Sequence, residues 1–317
     1  MKANTESPPT DWGAVENAVE TDELTKAFGD RIVVDKLSVR VPRAMVSAFV
    51  GPNGAGKSTT LRMLLGLIRT TSGSATILGG SIERPRTYLS RVGSLIEGPA
   101  FYPGLSGWAN LEVLAALGRL DRTRIPKVLE LVGLEKRSKD RVARYSLGMK
   151  QRLGVAAALL PEPDLLVLDE PANGLDPTGI AAMRVLLRRV ANDGTTVLVS
   201  SHQLIELQQV ADWVIIINLG KLKYQGDLAA LLAETGTTLV GVDDLADVAT
   251  LEAVLRKAGY EPVNAGPGRL RFRVTHGTPA TINRLASDAG LTLTELHSGS
   301  ASLEDIYFEL TDGGSIA

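Results

Sequence analysis

The chain has 317 residues, 44% of them hydrophobic and 22% charged, enough to bury one substantial core and a smaller second one. Its 34 basic and 36 acidic residues leave a formal net charge of -2, which gives no electrostatic reason to expect a nucleic-acid partner. The absence of cysteine excludes disulfides and thiolate metal sites, and 3 histidines are too few for a multi-histidine metal centre.

In chain order, residues 1–20 carry Pro8, Pro9 and scattered acids without an apolar segment of signal-peptide length, and read as a disordered leader. Order is expected from Thr21. Phe28 and a Gly29-Asp30 turn lead into an alternating strand over Ile32–Val41. The Phe28 ring offers either a flat stacking platform for adenine or an ordinary packing contact. Met45–Val50 is an apolar run of strand length, and helical spacing follows at Leu61, Leu64, Leu65 and Ile68.

Between them lie Gly51, Pro52, Asn53, Gly54, Ala55, Gly56, Lys57, Ser58 and Thr59, which read G-x-x-x-x-G-K-S. The glycines let successive backbone N–H groups approach an anion. Lys57 supplies a mobile charge for outer phosphates, the Ser58 hydroxyl suits an oxygen position around Mg²⁺, and the helix adds its positive N-terminal end. A strand, a glycine loop and a helix in this order form a phosphate-binding unit.

Strands are expected over Ser74–Leu78 and Arg91–Ile96, with a charged turn at Glu83–Arg86, and the second strand ends at Glu97. In a chain with only 4% aromatic residues, Phe101, Tyr102 and Trp108 then cluster in a Gly- and Pro-rich loop, which either packs on its own domain or presents anchors to a partner. Helices are predicted over Asn110–Leu117 and Ile125–Val132, stopped by Gly118 and Gly133. The basic run from Lys136 to Arg144 reads as a solvated face. Tyr145–Arg152 precede an Ala-rich helix, Leu153–Leu160; Ser146 suits an N-cap, and Ser146 with Gly148 suits an anion.

Leu165–Leu168 is a continuous apolar strand with Asp169 and Glu170 at its C-terminal end, where open α/β sheets bind ligands. Asp169 can hold Mg²⁺ through water and Glu170 can accept a proton from an attacking water. A turn at Asn173–Pro177, a helix over Ile180–Val190 and a strand over Thr195–Ser200 follow. That strand ends at His202, either a surface residue or a hydrogen-bonding partner for a γ-phosphate or water. A strand over Trp213–Leu219 and a turn at Tyr224-Gln225-Gly226 close this region. The longest apolar stretches fall well short of the roughly 20 residues that cross a bilayer.

Taken together, the glycine loop, Ser146 with Gly148, Leu165–Pro171, Asn173–Asp176 and His202 have the order and spacing of an ATP-binding cassette (ABC) transporter ATPase subunit, which the chain resembles over about 21–231. The resemblance implies an α/β P-loop NTPase domain of the ABC type over 21–232, with a helical subdomain at about 98–160. It implies ATP and Mg²⁺ as cofactors. Phe28 becomes the adenine platform, Gly51 to Thr59 the phosphate loop, Asp169 and Glu170 the Walker B pair, Asp176 the D-loop residue and His202 the switch histidine. In this family two such domains meet head to tail, so Ser146 and Gly148 would close the site of a second subunit, giving a dimer expected to be of identical chains.

Two departures narrow the resemblance. Tyr145, Leu147 and Met149 replace three residues of the usual LSGGQ signature, and Glu97 stands where a Q-loop glutamine is usual, still able to offer oxygen to Mg²⁺. With Gly98–Pro103, both look like the branch that exports antibiotics such as bacitracin and lantibiotics. The implied protein is a cytoplasmic ATPase, peripheral on the membrane's inner face and coupled to a separate permease. A soluble ABC ATPase acting on nucleic acid or the ribosome is the alternative, disfavoured by the single cassette and the charge balance. A GTPase is weaker still, because no N-K-x-D motif is present. Residues 237–311 read as a small C-terminal α+β accessory domain: strands at Leu239–Val242, Leu270–Val274 and Leu291–Leu296, helices near Leu251–Ala258 and Ile282–Ala289, and a closing amphipathic helix at Leu303–Leu310.

Overall fold

The computed structural model describes residues 16–98, 100–234, 237–273, 279–299 and 302–311, and the chain divides into two compact units between Gln225 and Gly226. The first unit opens on β1 (Asn17–Phe28), β2 (Arg31–Leu37) and β3 (Arg40–Pro42). Ala18 and Val19 are buried, so regular structure begins inside the expected leader; residues 1–15 lie outside the described residues. The single strand expected over Ile32–Val41 is broken at Ser38 and Val39. There side chains replace ladder bonds: Thr21 Oγ1 donates to Leu37 O at 2.7 Å and accepts from Val39 N at 2.8 Å, and Ser38 Oγ accepts from Glu23 N at 2.9 Å.

β4 (Val46–Val50) enters the glycine loop and α1 (Lys57–Leu64) leaves it. β5 (Ser72–Ile77) and β6 (Gly80–Ser81) complete an antiparallel layer ordered β2-β1-β5-β6, with β3 also on β1. β7 (Val92–Leu95), β8 (Leu165–Asp169), β9 (Thr196–Ser201), β10 (Trp213–Asn218) and β11 (Lys221–Asp227) join β4 in a second sheet ordered β11-β10-β4-β9-β8-β7. From β10 to β7 its strands are parallel, and β4, β8, β9 and β10 are buried nearly throughout, which is why they read as continuous apolar runs. The turn expected at Tyr224–Gly226 lies within β11. The side chain of Gln225 accepts from Arg40 N at 2.9 Å and holds that segment extended.

The first unit's remaining helices are α2 (Gly107–Gly118), α3 (Ile125–Leu131), α4 (Leu147–Leu159), α5 (Pro177–Asn192) and the short α6 (Leu204–Gln208). α2, α3 and α4 pack on one another, and α4 also lies on β7. α4 starts six residues before the expected Leu153, because Ser146 caps it by accepting from Met149 N at 3.3 Å. Gly118 is helical instead of a stop, and Arg119 takes the left-handed turn at φ +53°. The basic run is a series of short turns on which Tyr145 rests, its hydroxyl donating to Arg137 O at 2.8 Å.

The second unit begins at Gly226, at the end of β11, and its first helix is α7 (Leu228–Glu234), so the division falls before that helix and not at the expected residue 232. It continues through β12 (Thr237–Val242), α8 (Asp247–Lys257), β13 (Val263–Asn264), β14 (Arg269–Arg273), α9 (Pro279–Asp288), β15 (Leu293–Gly299) and α10 (Leu303–Thr311). Val274, the expected end of one strand, lies outside the described residues. The sheet order β13-β14-β12-β15, antiparallel throughout, makes β12 to β15 a split βαββαβ fold. Val240, Leu251, Leu255, Phe272, Ile282 and Tyr260 fill its core, with the Tyr260 and Phe272 rings 5.0 Å apart.

Tyr88 ties the first unit's layers together: its ring is buried and its hydroxyl donates to Leu64 O at 2.8 Å at the end of α1. Burial raises its pKa above the ordinary tyrosine value. The unfolded chain therefore ionises first as pH rises, so this group's stabilisation is complete below the ordinary tyrosine pKa and is lost as pH climbs through the folded value. Tyr88→Phe should lower stability at neutral pH by about 1 kcal/mol and flatten that alkaline loss, measured by urea denaturation across pH.

Candidate functional site

The glycine loop is wedged between two backbones. A Cβ at Gly51 would lie 2.5 Å from Ile217 O, and one at Gly56, already at φ +101°, would lie 2.8 Å from Val33 O. The turn after β10 closes the wedge, with Gly220 N donating to Ala55 O at 3.0 Å. Beneath the loop Lys57 is only 5% exposed, and its Nζ donates to Gly51 O at 2.7 Å and Pro52 O at 3.2 Å. Ser58 is half-buried beside it, and its hydroxyl has no hydrogen-bond partner among the described residues. Thr59 is half-buried too, and Thr60 bonds back to Gly56 O at 2.9 Å.

Sheet order brings the acids to this loop. β9 lies between β4 and β8, and the register sets Ser200 opposite Asp169. The buried Ser200 hydroxyl donates to Asp169 Oδ1 at 2.5 Å and accepts from Glu170 N at 3.0 Å. Glu170 sits in the left-handed region at φ +49°, and its two oxygens meet different partners. Oε1 lies 3.5 Å from Lys57 Nζ, and Oε2 accepts from His202 Nδ1 at 2.8 Å. A carboxylate so placed can receive a proton from water, with the imidazole fixing its plane. Ser200 was missed in the sequence reading, since a serine within an apolar strand carries no periodic signal; its meaning lies in the register of two strands.

The other expected residues stand apart from this cluster. Phe28 ends β1 at a hairpin tip, 52% exposed. Glu97, left-handed at φ +63°, pairs with Arg62, one helical turn beyond Ser58 on α1, and not with Ser58 or Asp169. Ser146 and Gly148 meet Met149 and Leu175 rather than the glycine loop. Asp176 caps α5, its Oδ1 accepting from Gly179 N at 3.0 Å. In the aromatic loop the buried Asn110 accepts from Tyr102 N at 2.8 Å and donates to Tyr102 O at 3.1 Å and Ser106 O at 2.9 Å. That clamp leaves Tyr102 62% exposed while Phe101 and Trp108 are half-buried.

The ABC transporter family model matches residues 34–173, and a domain of unknown function matches 246–304. The bacitracin transport ATP-binding protein BcrA of Enterococcus faecalis is 38% identical over 309 residues, covering 96% of this chain and 99% of that protein. This chain belongs to the ABC transporter ATP-binding family. As an ABC ATPase it binds and hydrolyses ATP. The lantibiotic transport ATP-binding protein SrtF of Streptococcus pyogenes is 40% identical over 204 residues, 64% of this chain and 88% of that protein. A solved ATP-binding subunit of an ABC transporter shares the fold at a TM-score of 0.61 and 30% identity, covering 68% of this chain and 92% of its own. No helix among the described residues is long and apolar enough to cross a membrane.

Ser200→Ala would remove the bond that orients Asp169 and one of the two acceptors of Glu170 N, which keeps Ser200 O at 3.2 Å, while leaving the glycine loop whole. Because small misplacements of reacting groups are costly, kcat for ATP hydrolysis should fall about ten-fold or more. ATP affinity, measured by calorimetry, should change by less than about two-fold.

Proposed function

We propose that this ABC ATPase powers export of an antibiotic, peptide or other hydrophobic compound through a separate membrane permease, working at the cytoplasmic face of the membrane as a dimer of identical chains. The observation that carries this reading is the likeness to a bacitracin transport ATP-binding protein over nearly the whole of both chains, second unit included. The aromatic loop fits the permease contact, since Asn110 holds it rigid and Tyr102 outward. Dimerisation fits because Lys57, Glu170 and His202 converge within one chain while Ser146 caps α4 away from them and Gly148 lies against Leu175. The second unit is an accessory domain in this reading.

The residues also fit Mg²⁺. The Ser58 hydroxyl has no partner among the described residues, and Asp169 engages one oxygen on Ser200 and keeps the other, so both present the hard oxygen donors this ion prefers. These two would hold the ion, which when bound offsets phosphate charge. Glu97 fits less well, because its carboxylate is paired with Arg62. Lys57 then exchanges carbonyl partners for the outer phosphates, Glu170 takes the proton of the attacking water, His202 holds Glu170 in place, and Phe28 stacks on the base.

Purification of the tagged chain from membranes should recover a multi-span permease; a ribosome or DNA partner instead would overturn the exporter reading. Two variants separate binding from chemistry. Lys57→Ala should weaken ATP binding by an order of magnitude or more, since a buried phosphate cradle loses its cation. Glu170→Gln should bind ATP normally, hydrolyse it about a hundred-fold more slowly and accumulate closed dimers by size-exclusion chromatography; wild-type turnover would reject Glu170 as the base.

A further inference from the structure

The Phe28 ring has different environments on its two faces. Lys26 Nζ lies 4.8 Å from the ring centroid, and the same Nζ donates to Arg69 O at 2.8 Å in the segment after α1. The ammonium is thus held between a backbone carbonyl and an aromatic face. Irregularities in the β1–β2 register fall on both sides of Lys26, and such bulges re-aim a side chain. With one face covered by a cation, the half-exposed ring keeps the other for a ligand.

The hairpin also measures the distance to the phosphates. Val33 O and Val34 form the floor under Gly56, and along the same strand Val34 pairs with Lys26 and Arg31 with Phe28. Three residues of strand separate floor from platform, about 10 Å, a span that ribose and the inner phosphate can bridge.

We propose that Lys26 is a positioning residue for the nucleobase: it anchors the Phe28 ring and draws π density toward its own face, leaving the opposite face electron-poor and fit to stack an electron-rich purine. This rests on the reading of Phe28 as the adenine platform. A cation against an aromatic face is an attraction of modest size at an exposed site. Were Lys26 only covering the ring with its aliphatic stem, methionine would serve as well.

The test uses the full-length chain and calorimetric affinities for ATP and for inorganic tripolyphosphate, which has no base. Lys26→Met should weaken ATP about three-fold and leave tripolyphosphate unchanged. Lys26→Arg should keep wild-type ATP affinity, and in a Phe28→Ala background Lys26→Met should have no further effect. Equal ATP affinity for wild type and Lys26→Met, with Phe28→Ala weakened, overturns the role of Lys26 while the platform stands. Loss of both ligands by Lys26→Met overturns it as well, because the base is then not what Lys26 serves. Unchanged ATP binding by Phe28→Ala removes the platform itself and the inference with it.

Discussion

A buried ammonium has to be surrounded by acceptors, and much of the first unit is arranged around the way Lys57 meets that demand. Its Nζ draws in Gly51 O and Pro52 O, so the loop must double back over the start of α1. Doubling back brings the chain so close to Ile217 O and Val33 O that only a residue without Cβ fits at positions 51 and 56. The walls belong to β10 and β2, one from each sheet of the unit. The packing of the two sheets and the pairing of one lysine are therefore parts of a single constraint.

The third acceptor near Lys57 is Glu170, which links charge balance to chemistry. Both of its oxygens are engaged, one facing Lys57 and the other His202, and its N–H rests on Ser200. In the proposed mechanism phosphate oxygens compete for Lys57, which would leave His202 as the partner that holds Glu170. Asp169 is held separately by the same Ser200 hydroxyl, which keeps the two acids in different roles although they are adjacent in the chain.

What could be read in the sequence was whatever local chemistry dictates. The glycine and lysine spacing follows from approach to an anion, and β4, β8, β9 and β10 show as unbroken apolar runs because both faces are covered. In the second unit, β14 alternates: Leu270 and Phe272 lie inside, Arg269 and Arg271 outside. What escaped depends on partners far along the chain. Ser200 gains its meaning from the register of β8 on β9, Glu97 from an arginine on α1, and Gln225 from the backbone of Arg40. The start of α4 was legible in part: Ser146 reads as an N-cap and is one, but the alanine-rich run is the strongest helical signal there and drew the expected start to Leu153.

That cap bears on how half a site could respond to the other half. Ser146 Oγ accepts from Met149 N at 3.3 Å, a long bond that an anionic oxygen could replace at small cost. The next residue, Leu147, lies over Gly174, where φ is +73° and an added Cβ would come within 2.9 Å of Leu147 Cδ2. Gly174 stands four residues after Glu170, in the turn that ends at the α5 cap, Asp176. In the proposed dimer, a displacement of Glu170 toward its own water would therefore be felt, through a hydrogen-bonded turn, at the start of α4 that faces the neighbour's phosphates. Communication between the two sites would then pass through the Asn173–Asp176 turn, which follows the base of one site and borders Leu147 at the start of the closing segment of the other.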